Sequence, residues 1–349
     1  MKKFTLTIIV MLFTFIGFSQ TTFNYTGSLQ SYTVPAGVNT IEVDVYGAQG
    51  GGTIGNSVGP GGLGARMRGE ISVVPGETLS ILVGGQGGSH GGDPHGNENG
   101  GGGGSFVVRQ SDMTPIVIAG GGGGAPSVNH GTQCSRNISD AHGKTTTSGT
   151  SINCAVSADG GADGYGGSTG GSHQGGAGGG FYSNGSNGGT HCVTAIGGKS
   201  FLNGGAGGTG NTCYGTDNQG GYGGGGGGNL SGPGAGGGYS GGASAGRWPN
   251  NSTYGGGGGS YNSGSNQANT AGDRSGNGLI VITQVITGNA PNAISTDYTA
   301  QLDASGNATI TGANVDGGSN DPDGDSFTLS VSPDTFDCSN LGGTSVPIT

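Results

Sequence analysis

Residues 116–124 read IVIAGGGGG, so a short apolar segment runs directly into a block of glycine. An Ile-Val-Ile run is typical of a buried strand, whereas a glycine block alone is typical of a flexible linker. The reverse order stands just before it, where the glycines of 100–104 lead into SFVV at 105–108. Because linkers do not usually alternate with core strands, these glycine blocks are predicted to belong to the folded structure.

Glycine is unusually abundant and unevenly placed along the chain. It supplies 90 of 349 residues, mostly between residues 50 and 276, with further blocks at 223–228 and 255–259. One interpretation is disorder, since ordering glycine costs more backbone entropy than ordering any other residue. The other is an array of extended left-handed helices with three residues per turn and no internal hydrogen bonds. Neighbouring helices would then supply the partners that buried N–H and C=O groups require. We expect the packed array.

The segments between the glycine blocks have the patterns of strands. TIEVDVY at 40–46 alternates apolar and polar residues, which is the period of a half-buried strand. Similar short segments begin at Phe23 and Leu29, and no window has the three-to-four-residue apolar repeat of a helix. The remaining strand candidates are residues 71–74, 79–83, 106–108, 116–119 and 279–282. The sequence therefore predicts an all-β scaffold.

The N-terminus has the three parts of a secretory signal. Lys2 and Lys3 precede an apolar run at 4–18, and Ser19 offers a small residue for cleavage. A membrane anchor is the alternative, but the run falls short of the roughly 20 apolar residues that span a bilayer. No later segment is long or apolar enough to span. We expect a signal peptide over residues 1–19 and a secreted or cell-surface protein.

The charge of the chain excludes whole classes of partner. The formal net charge is -10, or -12 without Lys2 and Lys3, and only ten Lys and Arg residues are present. A nucleic-acid-binding protein needs a cationic surface to neutralise phosphates. An anionic membrane surface is disfavoured for the same reason. We expect neither partner.

Five cysteines are present in a chain predicted to be exported, where disulfides are permitted. Cys134 and Cys154 form one close pair in sequence, and Cys192 and Cys213 form another, which leaves Cys338 over. Sequence allows three pairings of four cysteines, so proximity alone favours these two. Each would close a loop of about 20 residues and stabilise the fold by roughly 3 kcal/mol. A zinc site is the alternative, but the C-x-x-C spacing is missing.

Six motifs give the glycine-rich part a family resemblance. They are FNYTG at 23–27, YTVPAG at 32–37, IEVDVYGAQGG at 41–51, GETLSILVGGQG at 76–87, IVIAGGGGG at 116–124 and GLIVIT at 278–283. Together they resemble the glycine-rich domain in the ectodomain of anaplastic lymphoma kinase-type receptors and in many secreted bacterial proteins. The resemblance implies a jelly-roll-like sandwich carrying packed polyglycine helices over residues 20–287. It implies extracellular recognition as a function, and no ligand-binding residue is carried over.

The tail over residues 288–349 has a different composition. Its glycine blocks cease, and strands are predicted at 299–302, 308–311 and 327–331. QLDASGNA from residue 301 and FDCSNLG from residue 336 resemble HYR-like, immunoglobulin-type repeats of bacterial surface proteins. Such sandwiches need about 100 residues, so the resemblance implies an incomplete domain. The family's partner cysteine is missing near DPDGD at 321–325, which leaves Cys338 unpaired here or paired beyond.

The DPDGD turn is also the candidate metal site. Asp321, Asp323 and Asp325 alternate within it, and closely spaced carboxylates suit calcium. The alternative is a solvated acidic turn, since the distal glutamate of an EF-hand loop is missing. Calcium is the one cofactor that the sequence suggests.

No motif supports catalysis. Ser168 and Ser240 stand in G-x-S-x-G patterns, but such patterns arise by chance in a glycine-rich chain and require a following helix. The titratable residues between His90 and Glu98 are interpreted as a solvated loop, since no spacing preorganises them as metal ligands. We expect a protein that is not an enzyme.

Two places are suited to contact with a partner. The segment between Cys134 and Cys154 is polar and poor in glycine, and stapled loops often carry binding residues. Arg247 and Trp248 are of the types favoured as interface anchors, although Trp248 could equally cover the end of the glycine helices. The sequence favours an adhesion or recognition module for an extracellular protein or glycan. The alternatives are a passive spacer and the non-catalytic part of a larger extracellular hydrolase.

Overall fold

The chain forms two compact units in the computed structural model, one spanning Ser19–Val285 and the other containing the residues that follow Val285. The structure describes residues 19–52, 59–89, 98–126, 137–153, 156–171, 173–191, 193–210, 218–230, 232–244, 246–247, 251–285, 291–322 and 327–340.

In its described residues the first unit is built of strands, with one short α-helix, α1 (Ile138–Ala141), and one 3-10 turn at Phe201–Asn203. The strands are β1 (Gln20–Asn24), β2 (Gln30–Thr33), β3 (Thr40–Tyr46), β4 (Gly64–Ser72), β5 (Thr78–Leu82), β6 (Ser105–Arg109), β7 (Pro115–Ala119), β8 (Ile152–Asn153), β9 (Ser157–Ala158), β10 (Thr190–His191), β11 (Val193–Thr194), β12 (Gly246–Arg247), β13 (Asn251–Ser252), β14 (Tyr261–Asn262), β15 (Ser265–Arg274) and β16 (Leu279–Gln284).

Ten of these strands form two antiparallel sheets. Sheet one has the order β1-β16-β3-β4-β15 and sheet two the order β14-β7-β6-β5-β2, so the chain crosses between the sheets several times. Ile41, Val43 and Val45 of β3 are fully buried and alternate with half-exposed polar residues. They share one apolar cluster with Ile81 of β5 and Val107 of β6. The inner faces of the two sheets therefore pack together, and the predicted all-β sandwich is confirmed.

Sheet two is buried on its outer face as well. Leu82, Phe106 and Ile118 alternate with its inward-facing residues and belong to a second apolar cluster. That cluster also contains Phe181 and Phe201, which come from the glycine-rich part of the chain. Burial on both faces explains why β6 and β7 read as nearly continuous apolar runs rather than as alternating ones.

Residues 120–125 show how the glycine blocks pack. The N–H of Gly121 donates to the carbonyl of Gly237, with a distance of 2.7 Å. Three residues later, the N–H of Gly124 donates to the carbonyl of Gly234 at 2.9 Å. A three-residue step in one segment is thus matched by a three-residue step in its neighbour. This is the repeat of a helix with three residues per turn and no internal hydrogen bonds, so the packed polyglycine helices are confirmed.

Six neighbours surround residues 120–125, and each is hydrogen-bonded to them. They are residues 48–51, 62–65, 99–102, 234–237 and 255–260, together with Ala141. A Cβ on Gly122 would lie 1.8 Å from the carbonyl oxygen of Gly62, so only glycine permits this approach. We use the name glycine array for the glycine-rich segments that are hydrogen-bonded to one another through their backbones. They are residues 47–52, 98–104, 120–125, 174–180, 220–228, 232–244 and 255–260.

The second unit is smaller in its described part. Its β17 (Asn307–Thr309) pairs with β18 (Thr335–Asp337), and 3-10 turns occupy Gly312–Asn314 and Cys338–Asn340. Ile310 and Val315 form the centre of its apolar cluster. The predicted strands at 299–302 and 327–331 do not form: residues 299–302 and 327–330 are not in strands, and Val331 makes only a bridge. Ala300, Leu329 and Val331 pack against that cluster. No helix in the described part of either unit is long and apolar enough to cross a membrane.

Candidate functional site

Most of the predicted site residues lie outside the described part of the chain. These are Cys134, Cys154, Cys192, Cys213, Trp248, Asp323 and Asp325. Arg247 ends β12, where its backbone pairs with Asn251 of β13. Cys338 is a free, exposed thiol.

Only Asp321 of the three predicted calcium ligands is described, and it is half-buried. The nearby Asp316 accepts hydrogen bonds from the backbone N–H groups of Gly318 (3.1 Å) and Ser319 (2.7 Å). Hydrogen bonding by Ser319 holds the pKa of Asp316 below its ordinary value. No group of three or more His, Cys, Asp or Glu residues in the described ranges is placed to hold a metal ion.

A groove of about 390 Å³ lies where the edge strands β14 and β15 of the two sheets approach residues 145–147. We call it the amide groove. Its lining residues are Met67, Thr145, Thr146, Thr147, Ser260, Tyr261, Asn262, Gln267 and Asn269.

Ser260, the last residue of the glycine array, holds one wall of the groove in place. Its backbone N–H donates to the carbonyl of Thr146 (2.7 Å), and its Oγ donates to the carbonyl of Lys144. The same Oγ accepts the N–H of Gly120 at 2.9 Å. The segment 144–147 is therefore fixed by hydrogen bonds to the segment that leads into β14.

Three amide side chains are fixed by bonds to each other and to the backbone. Asn262 Nδ2 donates to the carbonyl of Arg68 and to Oδ1 of Asn269, both at 2.9 Å. Gln267 Nε2 donates to the carbonyls of Asn262 (3.1 Å) and Gly264 (2.8 Å). Asn269 Nδ2 in turn donates to Gln267 Oε1 at 2.9 Å. Each amide therefore has one set orientation before any ligand arrives.

Hydroxyl groups complete the lining. The hydroxyls of Thr145, Thr147 and Tyr261 have no hydrogen-bond partner among the residues that the structure describes. Each of them can donate one hydrogen bond and accept others. The Tyr261 ring stacks on Tyr239, with centroids 4.9 Å apart and planes at 28°, which fixes the plane of the ring. The groove therefore offers unused donors and acceptors at defined positions.

None of the nine lining residues carries a charge. The ionisable groups nearest in sequence make bonds elsewhere: Arg66 and Arg68, which flank Met67, pair with Asp44 and Glu42. Lys144 Nζ donates to the carbonyl of Ser139 (2.7 Å), and its burial lowers its pKa. Glu70 accepts the side-chain N–H of Asn266 at 2.8 Å. The arrangement suits hydrogen bonding to an uncharged polar ligand rather than acid–base chemistry.

A second exposed feature is a pair of tyrosines. Tyr165 and Tyr182 are 57% and 45% exposed, with ring centroids 5.9 Å apart. Tyr182 also meets Phe181 edge to face, with centroids 4.9 Å apart. The pair thus extends the buried aromatic cluster to the surface.

Sequence reasoning did not identify the amide groove. Its residues come from β4, from residues 145–147 and from residues 260–269, which only the fold brings together. The polar sequence of β15 gives no strand signal, since nearly all of its side chains are exposed. The one available signal was local: Asn262, Gln267 and Asn269 place three amides within eight residues. Comparison with known proteins adds no assignment, because no protein-family model and no curated protein sequence matches this chain.

Proposed function

We propose that this protein is a secreted or cell-surface recognition module that attaches to an extracellular protein or glycan and has no catalytic role. The glycine array carries this proposal. It consists of segments bonded to one another through their backbones, and its residues Gly258 and Ser260 hold Lys144 and Thr146 in place. Binding residues mounted on such a scaffold lose little conformational freedom when a partner arrives.

The finer parts of the proposal come from the sequence. Export depends on the signal peptide of residues 1–19. The pairs Cys134–Cys154 and Cys192–Cys213 would be disulfides, and Arg247 with Trp248 would be a contact surface. The resemblance to the glycine-rich receptor domain supports recognition outside the cell, and that to HYR-like repeats supports attachment at a cell surface.

The test is binding by the purified full chain. Labelled protein would be applied to cells, to arrayed glycans and to arrayed exported proteins, with unlabelled protein as competitor. We expect saturable binding that the competitor abolishes. Arg247→Ala and Trp248→Ala would show whether that surface takes part, with the exposed Leu29→Ala as a matched control. A folded chain that binds nothing would favour the passive spacer instead.

A further inference from the structure

We propose that the amide groove binds a neutral saccharide unit of an extracellular glycan. This inference rests on the proposed recognition function and names the ligand class for one site. It is carried by the groove's unused hydrogen-bonding groups, by their lack of charge and by their fixed positions.

The unused groups in the groove are both donors and acceptors. Asn269 Nδ2 uses one of its two N–H groups on Gln267, so one remains. Gln267 Oε1 and Asn262 Oδ1 each accept one hydrogen bond and have capacity for a second. With the hydroxyls of Thr145 and Thr147, the lining residues of the groove supply both donors and acceptors. A sugar hydroxyl both donates and accepts, so neighbouring hydroxyls of a pyranose match this mixture.

The absence of charge in the lining selects against ionic ligands. An acidic saccharide needs a cation to replace its lost hydration, and none of the nine lining residues supplies one. The chain as a whole carries a formal net charge of -10, which repels polyanions at long range. A basic ligand would need a carboxylate that the lining likewise does not contain. A neutral polyhydroxylated ligand has no charge to desolvate, so it needs neither a cation nor a carboxylate in the lining.

The groove is also organised before binding. The amides of Asn262, Gln267 and Asn269 are held by the bonds that they exchange, and the Tyr261 ring is held by Tyr239. Little side-chain entropy is therefore lost when a ligand binds. The volume of about 390 Å³ lies at the lower end of the range of about 300–1,000 Å³ for small-molecule sites. That size suits one or two sugar units of a longer chain.

The experiment is titration of the full chain with defined saccharides, followed by saturation-transfer NMR and calorimetry. The probes are glucose, galactose, mannose and N-acetylglucosamine with their short oligomers, and oligogalacturonate and a heparin-derived oligosaccharide as acidic counterparts. The groove variants are the double substitution Thr145→Val with Thr147→Val, and Tyr261→Phe. Both remove only hydroxyls that have no partner in the described part of the chain. Thr22→Val is the matched control, because Thr22 is exposed on β1 at the opposite edge of sheet one.

We expect saturable binding of at least one neutral saccharide and weaker binding or none of the acidic ones. The double variant should raise the dissociation constant about fivefold or more, since each lost hydrogen bond weakens binding about two- to tenfold. Tyr261→Phe should raise it about two- to tenfold, and Thr22→Val should leave it unchanged. Unchanged melting temperatures in all variants would show that the fold is intact.

Three outcomes would overturn the inference: no binding of any neutral saccharide, equal binding by groove variants and wild type, or preference for the acidic probes. The cell-binding assay separates this failure from that of the proposed function. If the protein binds cells and neither free saccharide nor the groove variants reduce that binding, the recognition function is supported with a protein as the partner. If the protein binds neither cells nor any neutral saccharide, both proposals are refuted.

Discussion

The ring of Phe201 lies flat against that of Phe181, with centroids 5.2 Å apart and planes within 8°. On its other side Phe201 stacks with Phe106 of β6, with centroids 5.1 Å apart. Phe106 belongs to the sandwich, whereas Phe181 follows directly on a segment of the glycine array. This column of three rings joins the sandwich to the glycine-rich part of the first unit.

Removing Phe181, the end of this column that belongs to the glycine-rich part, should weaken the whole unit. Phe181 is 1% exposed, and truncation of a buried Phe to Ala costs about 3–5 kcal/mol. Phe181→Ala is therefore expected to lower the free energy of unfolding by that amount in denaturant titration. Tyr165→Ala is the control, since Tyr165 is 57% exposed, and it should change stability by less than about 1 kcal/mol. Equal effects of the two substitutions would contradict a joining role for the column.

A methyl group in the centre of the glycine array should not be tolerated. The Cβ of Gly122→Ala would lie 1.8 Å from the Gly62 carbonyl oxygen, and backbone cannot move aside as a side chain can. We expect a loss of more than about 3 kcal/mol, the upper end for overpacked cores. At Gly171 the nearest atoms to an added Cβ are 3.6 Å away, in two side chains. Gly171→Ala should therefore change the melting temperature little, and a comparable loss there would count against backbone contact as the cause.

Amide hydrogen exchange should distinguish the array from a flexible linker. The N–H groups of residues 121–125 all donate to carbonyls of other segments, so their exchange requires cooperative opening. The N–H groups of Thr145, Thr146 and Thr147 have no such partner in the described chain. NMR on isotope-labelled protein should show strong protection in the first group and fast exchange in the second. Fast exchange throughout the glycine blocks would refute the packed array.

One histidine should make the stability depend on pH. His142 Nδ1 accepts the N–H of Leu63 at 2.9 Å, which requires the neutral ring. Burial, with a smaller effect of Lys144, lowers the pKa of His142 from its ordinary 6.5. Between that lowered pKa and 6.5 the unfolded chain binds a proton that the folded chain does not. The free energy of unfolding should therefore fall as the pH drops below about 6.5.

The matched variant for this histidine is His142→Asn, which lacks a titrating group. It should be less stable at every pH, because Gly272 packs closely against the imidazole. Its stability profile between neutral pH and the acidic range should nevertheless be flatter than that of the wild type. Thermal melts across this range measure both profiles, and an unchanged slope in the variant would assign the pH dependence to other groups.

The sequence predicted those parts of the fold that are set by local pattern. Thr40–Tyr46 alternates by twos and is a strand with these bounds, and the glycine blocks follow the three-residue repeat of the predicted helices. β15 escaped prediction because it is an exposed edge strand whose pairing with β4 gives it no apolar face. The prediction for residues 299–302 was wrong in the opposite direction. Their pattern predicted a strand, but they are not in a strand, and Ala300 packs against the apolar cluster of the second unit.

The amide groove was beyond prediction for a different reason. Met67, Thr147 and Asn269 are far apart in sequence, and only sheet order and the docking of residues 145–147 bring them to one place. Polar residues of these types are also common in loops without a ligand. The location of such a site depends on strand pairing and packing at the edges of the two sheets, which the composition of the sequence does not reveal.

A core made of peptide groups has a consequence for heat capacity. Hydrating apolar surface on unfolding raises the heat capacity by about 0.45 cal/K/mol per Å², while hydrating polar surface lowers it by about 0.26. Much of what the glycine array buries is N–H and C=O, so the two contributions offset each other there. The heat-capacity change per residue should lie below the usual value of about 12–15 cal/mol/K. The temperature dependence of stability is then shallow, and cooling weakens this protein less than one held together by hydrocarbon alone.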